Sequence, residues 1–563
     1  MFTLPQHLQK YRVEQNYSRY TPLDQATWRY ILRQLKSFLS KNAHSCYLDG
    51  LEKTGISEEE IPHIDEMSKK LEQFGWKAMP VSGFIPPAAF MELQSLSILP
   101  IASDMRSINH LLYTPAPDIV HEAAGHAPII IDPEYAAYLK EYAQIAKKAI
   151  ISKEDLDLYE AIRELSDIKE NPQSTPEMII HVEQKLNSTI KASTHTSEAT
   201  ELSRMNWWTA EYGLVGDLEN PKIFGAGLLS SVGESKWCLS EKVKKIPLSV
   251  DCIKQTYDIT EPQPQLFVTP DFKTLVSVLH EMANKMAFKT GGTQALDKAI
   301  LAKSVNTVEL DTHFQISGLL TEYLKNSQGE AIYLKFAGPT QISIHNKQIN
   351  GHDKNYHKTG YSTPIGEFTA HPALNIGQPI VLNYSSGITV QGVLTKTFKH
   401  PSHPQAEILS FEHATVTYKN EILFHPDWGT FDLVTGKNVT SVFGGPADRD
   451  QFGETDDFVA VQVPLPFYSR DQKIIFQVFQ NIRDFRNNKT MTILDFNQLL
   501  RDSLNKAGQH WLVILELLEI AIKLNASNEI QNKLKNQLDL IKSENEKLSS
   551  IIEDGVRLAY AST

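Results

Sequence analysis

The chain has 563 residues, with 55 Lys plus Arg against 67 Asp plus Glu and a net charge of −12, a balance that argues against a general binder of nucleic acid or anionic membrane. At this length a single core stops growing, so about two to four domains are expected. Three cysteines, Cys46, Cys238 and Cys252, are too few and too scattered for a disulfide framework or a zinc knuckle, which points to a reducing, cytoplasmic setting.

No segment, the N-terminal MFTLPQHLQKYRVEQNYSRY included, carries an apolar run of about 20 residues, so neither a signal peptide nor a membrane span is expected. From Tyr20 to about Lys325 the pattern is mainly helical: ATWRYILRQLKSFLSKN, EYAAYLKEYAQIAKKAI and DFKTLVSVLHEMANKMAF all repeat apolar residues at helical spacing. A polar stretch rich in Lys, Glu, Ser and Thr over about 151–203 reads as an insertion with a weak core face. His280 has no second ligand on its helix and reads as a structural or surface residue.

Within the first region, PDIVHEAAGH at 117–126 places Glu122 beside His121, with His126 five residues on. Zinc proteases use H-E-x-x-H, where positions i and i+4 share a face, whereas i and i+5 of an ordinary helix lie about 140° apart. The expected remedy is Gly125, left-handed and ending the helix so that the chain turns back, with Pro128 enforcing the exit. A third ligand must come from elsewhere, and MNWWTAEYGLVGD supplies Glu211, a lone carboxylate among aromatic and apolar residues whose burial is costly unless a cation compensates. Two imidazoles and one carboxylate with open positions describe the facial triad of non-haem Fe(II) oxygenases.

Near residue 328 the character changes. EAIYLKF, TQISIHN, PIVLNYS, ITVQGVL, AEILSFEHATVTY and NEILFHP are short β-branched or alternating segments punctuated by Gly, Pro and Asn, which predicts an antiparallel β domain over 326–470. HDKNYH at 352–357 and HPSHP at 400–404 read as turn residues between strands. From 471 to 563 the helical period returns. Leu534, Leu538, Ile541, Asn545, Leu548 and Ile552 fit a short coiled coil with Asn545 setting register, through which a homo-oligomer would form; the alternative of equal weight is a helical hairpin on WLVILELLEIAIKL. The fold class is therefore multidomain: a mainly α-helical catalytic domain over 1–325, the β domain, and a helical, coiled-coil C-terminal region.

YTPAPDIVHEAAGHAPIIIDPEYA resembles the active-site segment of the tetrahydropterin-dependent aromatic amino acid hydroxylases, and WWTAEYGLVGD with IFGAGLLSSVGESKWCLSE resembles that family's second signature. CYLDGLEKTGISEEEIPHIDEMSKKLEQFGWKAMPVSGFIPPAAF also matches, so the resemblance runs in order from about Tyr20 to Phe288. It implies iron ligands at His121, His126 and Glu211, and Arg106 on the substrate carboxylate, a task suited to a guanidinium fork. Thr114, Trp207, Tyr212, Ser230 and Glu234 would line or support the amino acid site. Gly83, Ile85, Phe90 and Glu122 would meet the tetrahydropterin, which makes Glu122 a neighbour of the cofactor and a participant in oxygen activation rather than a hydrolytic base.

The chain departs from the family pattern at Pro86 and Pro87, where serines are usual, at Asn206, where animal phenylalanine hydroxylases carry tyrosine, and at Pro100, where they carry histidine. The resemblance implies a cytoplasmic Fe(II)- and tetrahydropterin-dependent monooxygenase acting with O2 on an aromatic amino acid. Phenylalanine, converted to tyrosine, is the first choice on the strength of Trp207, with tryptophan or tyrosine as alternative substrates. A zinc hydrolase using Glu122 as base and a non-catalytic binding module are the readings from other classes.

Overall fold

The computed structural model describes residues 4–82, 85–112, 117–170, 174–259, 261–370, 373–453, 467–488, 490 and 492–561. The helix Pro22–Asn42 starts at a reciprocal cap: Thr21 accepts from the Asp24 amide, the Asp24 carboxylate accepts from the Thr21 amide, and Pro22 takes the first turn. Its Trp28, Ile31, Leu32, Leu35 and Leu39 are buried in one large core, shared with the helices Pro133–Ala146 and Phe272–Ala283.

Two sheets sit in this half. Lys77–Val81 pairs in parallel with Ile98–Ala102, Met79 opposite Pro100, and a four-stranded sheet orders Lys222–Ile223, Leu214–Val215, Gln265–Thr269 and Lys244–Pro247. This half is thus mixed α and β, which corrects the expectation of a mainly helical domain. The polar 151–203 stretch forms the helices Lys153–Glu170 and Pro176–Ala192 and the start of a third, Glu198–Asn206; the first two are tied by Lys185–Glu164 and Lys169–Glu183 ion pairs, and among their described residues only Ala161 and Val182 are buried.

The antiparallel sheets expected from residue 326 begin earlier, because Asn306–Leu310 and Phe314–Lys325 are already strands. They join Ala331–Ile344, Lys347–Gln348, Gly360–Pro364 and Val439–Gly444 in a six-stranded sheet. A five-stranded sheet follows, made of Pro379–Asn383, Thr389–His400, His403–Tyr418, Glu421–Phe424 and Phe431–Val434.

The C-terminal helices Arg470–Asn487, Ile493–Ala507, Trp511–Lys523, Asn528–Glu544 and Glu546–Ala561 do not stand apart. Their buried residues belong to the same core as Trp28 and Leu35, and Tyr30 donates to the Ile551 carbonyl at 2.7 Å. Asn545 adopts extended dihedrals and ends one helix before the next begins. Of the six positions expected to form a coiled-coil seam, Leu534, Leu538 and Ile541 fall on one helix and Leu548 and Ile552 on the next, with Asn545 between them, and both helices pack on Trp511–Lys523. The hairpin alternative holds, and the continuous coiled coil is corrected.

Candidate metal centre

The five-residue spacing of His121 and His126 is met by a turn of π-helix over Val120–His126, in which the Ala127 amide donates to the Glu122 carbonyl. When hydrogen bonds run from i to i+5, residues five apart come onto one face. The expected left-handed Gly125 is corrected, since Gly125 is absent from the positive-φ residues. Glycine is required there by proximity instead: a Cβ at 125 would lie 2.6 Å from the Ala226 carbonyl oxygen.

A second π-turn, Trp207–Glu211, is closed by the Tyr212 amide on the Trp207 carbonyl at 2.8 Å. It carries Glu211 to the histidines, with Oε2 3.3 Å from His121 Nε2 and Oε1 3.3 Å from His126 Nε2. The three residues thus present one donor atom each within 4.8 Å of one another. The His126 side chain is 2% exposed against 14% for His121 and 17% for Glu211, so the opening lies on the His121–Glu211 side. Burial alone would raise the Glu211 carboxyl, but the charges of His126 and His121 outweigh it and hold the group well below the usual range.

The surroundings fix the donor atoms. Ser230 Oγ donates to the Ala226 carbonyl at 2.7 Å, which leaves its oxygen to accept from His121 Nδ1 at 3.2 Å and orients the ring with Nε2 toward Glu211. Asn206 Nδ2 stands 3.5 Å from Glu211 Oε1, so a departure from the family pattern touches a candidate ligand.

Arg106 is gripped rather than free. Its Nε and Nη2 donate to the two Asp118 carboxylate oxygens at 2.7 Å each, and Nη1 donates to the Ser230 carbonyl at 3.2 Å. Asp118 Oδ1 also accepts from the His121 amide at 3.0 Å. Burial raises the Asp118 carboxyl while Arg106 and these amide bonds lower it further than that, so it stays ionised. Of the five guanidinium N–H groups, these bonds leave one on each Nη.

Glu122 is buried and, among the described residues, its Oε2 has no hydrogen-bond partner. Burial pushes its carboxyl up to about 8, against the opposing charge of His126 and with help from Glu211 and Asp118. Trp207 stacks on Tyr212 at 4.5 Å, again five residues apart, and on Tyr257 at 4.2 Å. Glu234 is buried, its carboxyl raised by burial against a bond from Tyr212. Ile85 and Phe90 lie in a separate small apolar cluster with Leu8, Met79, Val81 and Leu93, while Gly83 and Thr114 fall outside the described residues.

Asp118 and Tyr257 were not singled out from the sequence. Asp118 had a usable signal, an acidic residue three positions ahead of His121 and so placed to cap the turn that carries it; Tyr257 had none.

A family model described as biopterin-dependent aromatic amino acid hydroxylase matches residues 4–155 and 184–298, skipping much of the polar hairpin. The phenylalanine-4-hydroxylase of Mesorhizobium japonicum is 30% identical over 269 residues, 47% of this chain and 81% of that one. Its counterpart from Pseudomonas aeruginosa is 27% identical over 270 residues, 48% and 86% of the two chains. A crystal structure of Chromobacterium violaceum phenylalanine hydroxylase with iron(III) and 7,8-dihydrobiopterin bound aligns at a TM-score of 0.39 and 24% identity, covering 50% of this chain and 92% of that one.

Proposed function

Because this chain belongs to the biopterin-dependent aromatic amino acid hydroxylases, we propose that it hydroxylates the ring of an aromatic amino acid, phenylalanine to tyrosine, with Fe(II) and a tetrahydropterin. The observation that carries the reading is the convergence of two π-turns on one point, which aims Nε2 of His121, Nε2 of His126 and the Glu211 carboxylate at a shared position. Two imidazoles and one carboxylate suit Fe(II) and leave coordination positions open. The His121 tautomer set by Ser230 also fits a metal ligand.

When bound, iron and the reduced pterin together supply the electrons and the open positions at which O2 is activated. The chain does the rest. Arg106, preset by Asp118, offers its remaining pair of N–H groups to the substrate carboxylate, and because Asp118 also holds the His121 amide, the carboxylate anchor and the metal turn are one rigid unit. Trp207, already stacked on Tyr212 and Tyr257, presents its edge to the substrate ring. Tyr212 and Glu234 brace that wall, and the unpartnered Glu122 oxygen is available to the pterin. On the family resemblance, Phe90 would stack on the pterin ring and the backbone near Ile85 would border it.

The test is product analysis with iron, tetrahydropterin and each of the three aromatic amino acids. Tyrosine from phenylalanine as the main product is expected; 5-hydroxytryptophan or dihydroxyphenylalanine in its place would reassign the substrate, and no hydroxylated product from any of the three would overturn the reading.

A further inference from the structure

The connection from Lys347–Gln348 to Gly360–Pro364 carries HDKNYH. It does form a turn, with Asp353 Oδ1 accepting from the Asn355 and Tyr356 amides at 2.7 and 2.9 Å. The turn also does something the sequence pattern conceals: it folds His352 and His357 inward, 5% and 7% exposed, with His352 Nδ1 3.2 Å from His357 Nε2. Asp432, on the strand Phe431–Val434 of the other sheet, is 4% exposed and completes a group whose donor atoms all lie within 4.8 Å.

Asp432 has an unmet need. Ser410 Oγ donates to its Oδ1 at 2.5 Å and the Tyr356 hydroxyl bears on the carboxylate, but among the described residues the buried Oδ2 has no partner in hydrogen-bonding geometry and no Lys or Arg forms an ion pair with it. A buried carboxylate in that condition is unfavourable unless a cation compensates. A shared hydrogen bond between the two imidazoles would account for one nitrogen of each ring and leave Oδ2 unanswered. A metal ion accounts for all three groups. Their N···N separation of 3.2 Å is close to the tetrahedron edge of about 3.3 Å that follows from Zn–N bonds of about 2.0–2.1 Å. Tyr356 and Tyr361 pack edge-on against His357 at 4.7 and 5.0 Å and wall the place in.

We propose that His352, His357 and Asp432 form a second metal centre, separate from the first, which takes a dication of the zinc class and clips the turn to the five-stranded sheet. Two neutral imidazoles and one carboxylate are zinc's ordinary ligands, with a fourth position left for water. The likeness to the first centre is in donor set only: here the histidines come from one turn and the carboxylate from a strand in the facing sheet.

The experiment uses the full chain carrying His126→Ala and Glu211→Ala, which clears the first centre, stripped by chelator and titrated with Zn2+ in a calorimeter. One equivalent of Zn2+ per chain, a rise in Tm on binding, and a tetrahedral Co2+ visible spectrum are expected. Adding Asp432→Asn, close to isosteric, is expected to weaken binding by more than about 100-fold, beyond what loss of an outer partner gives, with the circular dichroism unchanged. His357→Gln provides a second variant with the same expectation. No Zn2+ bound by the parent, or an undiminished equivalent in a folded Asp432→Asn or His357→Gln chain, overturns the proposal.

Discussion

Asp118 and Gly125 show how much of the candidate metal centre depends on residues outside its three candidate ligands. Arg106 and Asp118 are almost wholly buried as a bidentate pair. Removing one partner strands the other, so Asp118→Ala is expected to cost about 3–5 kcal/mol, read as a lowered Tm in thermal unfolding and a raised KM for the amino acid; an unchanged KM would detach Arg106 from the substrate. Gly125→Ala acts by volume alone. Its methyl would meet the Ala226 carbonyl at 2.6 Å, an overpacking costing about 1–3 kcal/mol, and iron per chain after anaerobic loading is expected to fall below the wild-type value. Equal iron content would mean that the turn tolerates the shift. At this scale the grouping of His121, His126 and Glu211 was legible, because the three sit in long matching motifs. Asp118 was not, since an aspartate ahead of a helix reads first as a cap, and His352 and His357 were hidden because turn residues are ordinarily exposed.

The element that decides the site is the π-turn. An interval of five between ligands was visible in the sequence, but its solution was not: a chain break at glycine and a widened helical turn both bring such residues together, and composition does not choose between them. Tyr212 stacked on Trp207 repeats the same interval in the second turn. Strand assignments failed where they abutted helices. NTVEL and FQISGLLTEYLK were absorbed into the helical region, although the structure pairs them residue by residue. The helix Trp511–Lys523 carries a pH prediction. His510 at its start packs edge-on to Phe479 at 5.2 Å, its buried Nδ1 has no hydrogen-bond partner among the described residues, and burial pushes the ring from 6.5 down to about 4. Below 6.5 the unfolded chain takes up a proton that the folded chain refuses until about 4, so stability falls as pH drops through that window. His510→Leu is expected to flatten the decline of Tm between about pH 7 and about pH 5; a slope equal to wild type would assign the decline to other groups.

For the whole molecule, the surprise is that the C-terminal helices complete the catalytic core. Periodicity showed that Leu534, Leu538, Ile541 and Ile552 share apolar faces, but not what covers them. The cover is this chain: Arg29 on Pro22–Asn42 pairs with Glu516 and Glu519, Arg33 also pairs with Glu519, and Leu515 packs so closely on Gly555 that a Cβ there would lie 2.5 Å away. Truncation after Asn525 removes the buried Leu534, Leu538, Ile541 and Ile552, each worth about 1.5–3 kcal/mol, and is expected to give a chain of lowered Tm that aggregates on size exclusion; a monomer of unchanged Tm would show the tail to be dispensable. The central claim is that two π-turns hold iron for a pterin-dependent hydroxylation. Its most direct test is to load wild type, His126→Ala and Glu211→Ala with Fe(II) and follow tetrahydropterin-dependent tyrosine formation from phenylalanine. Tyrosine from wild type alone, with both variants folded but inactive, is the predicted result, and full activity in either variant would contradict it.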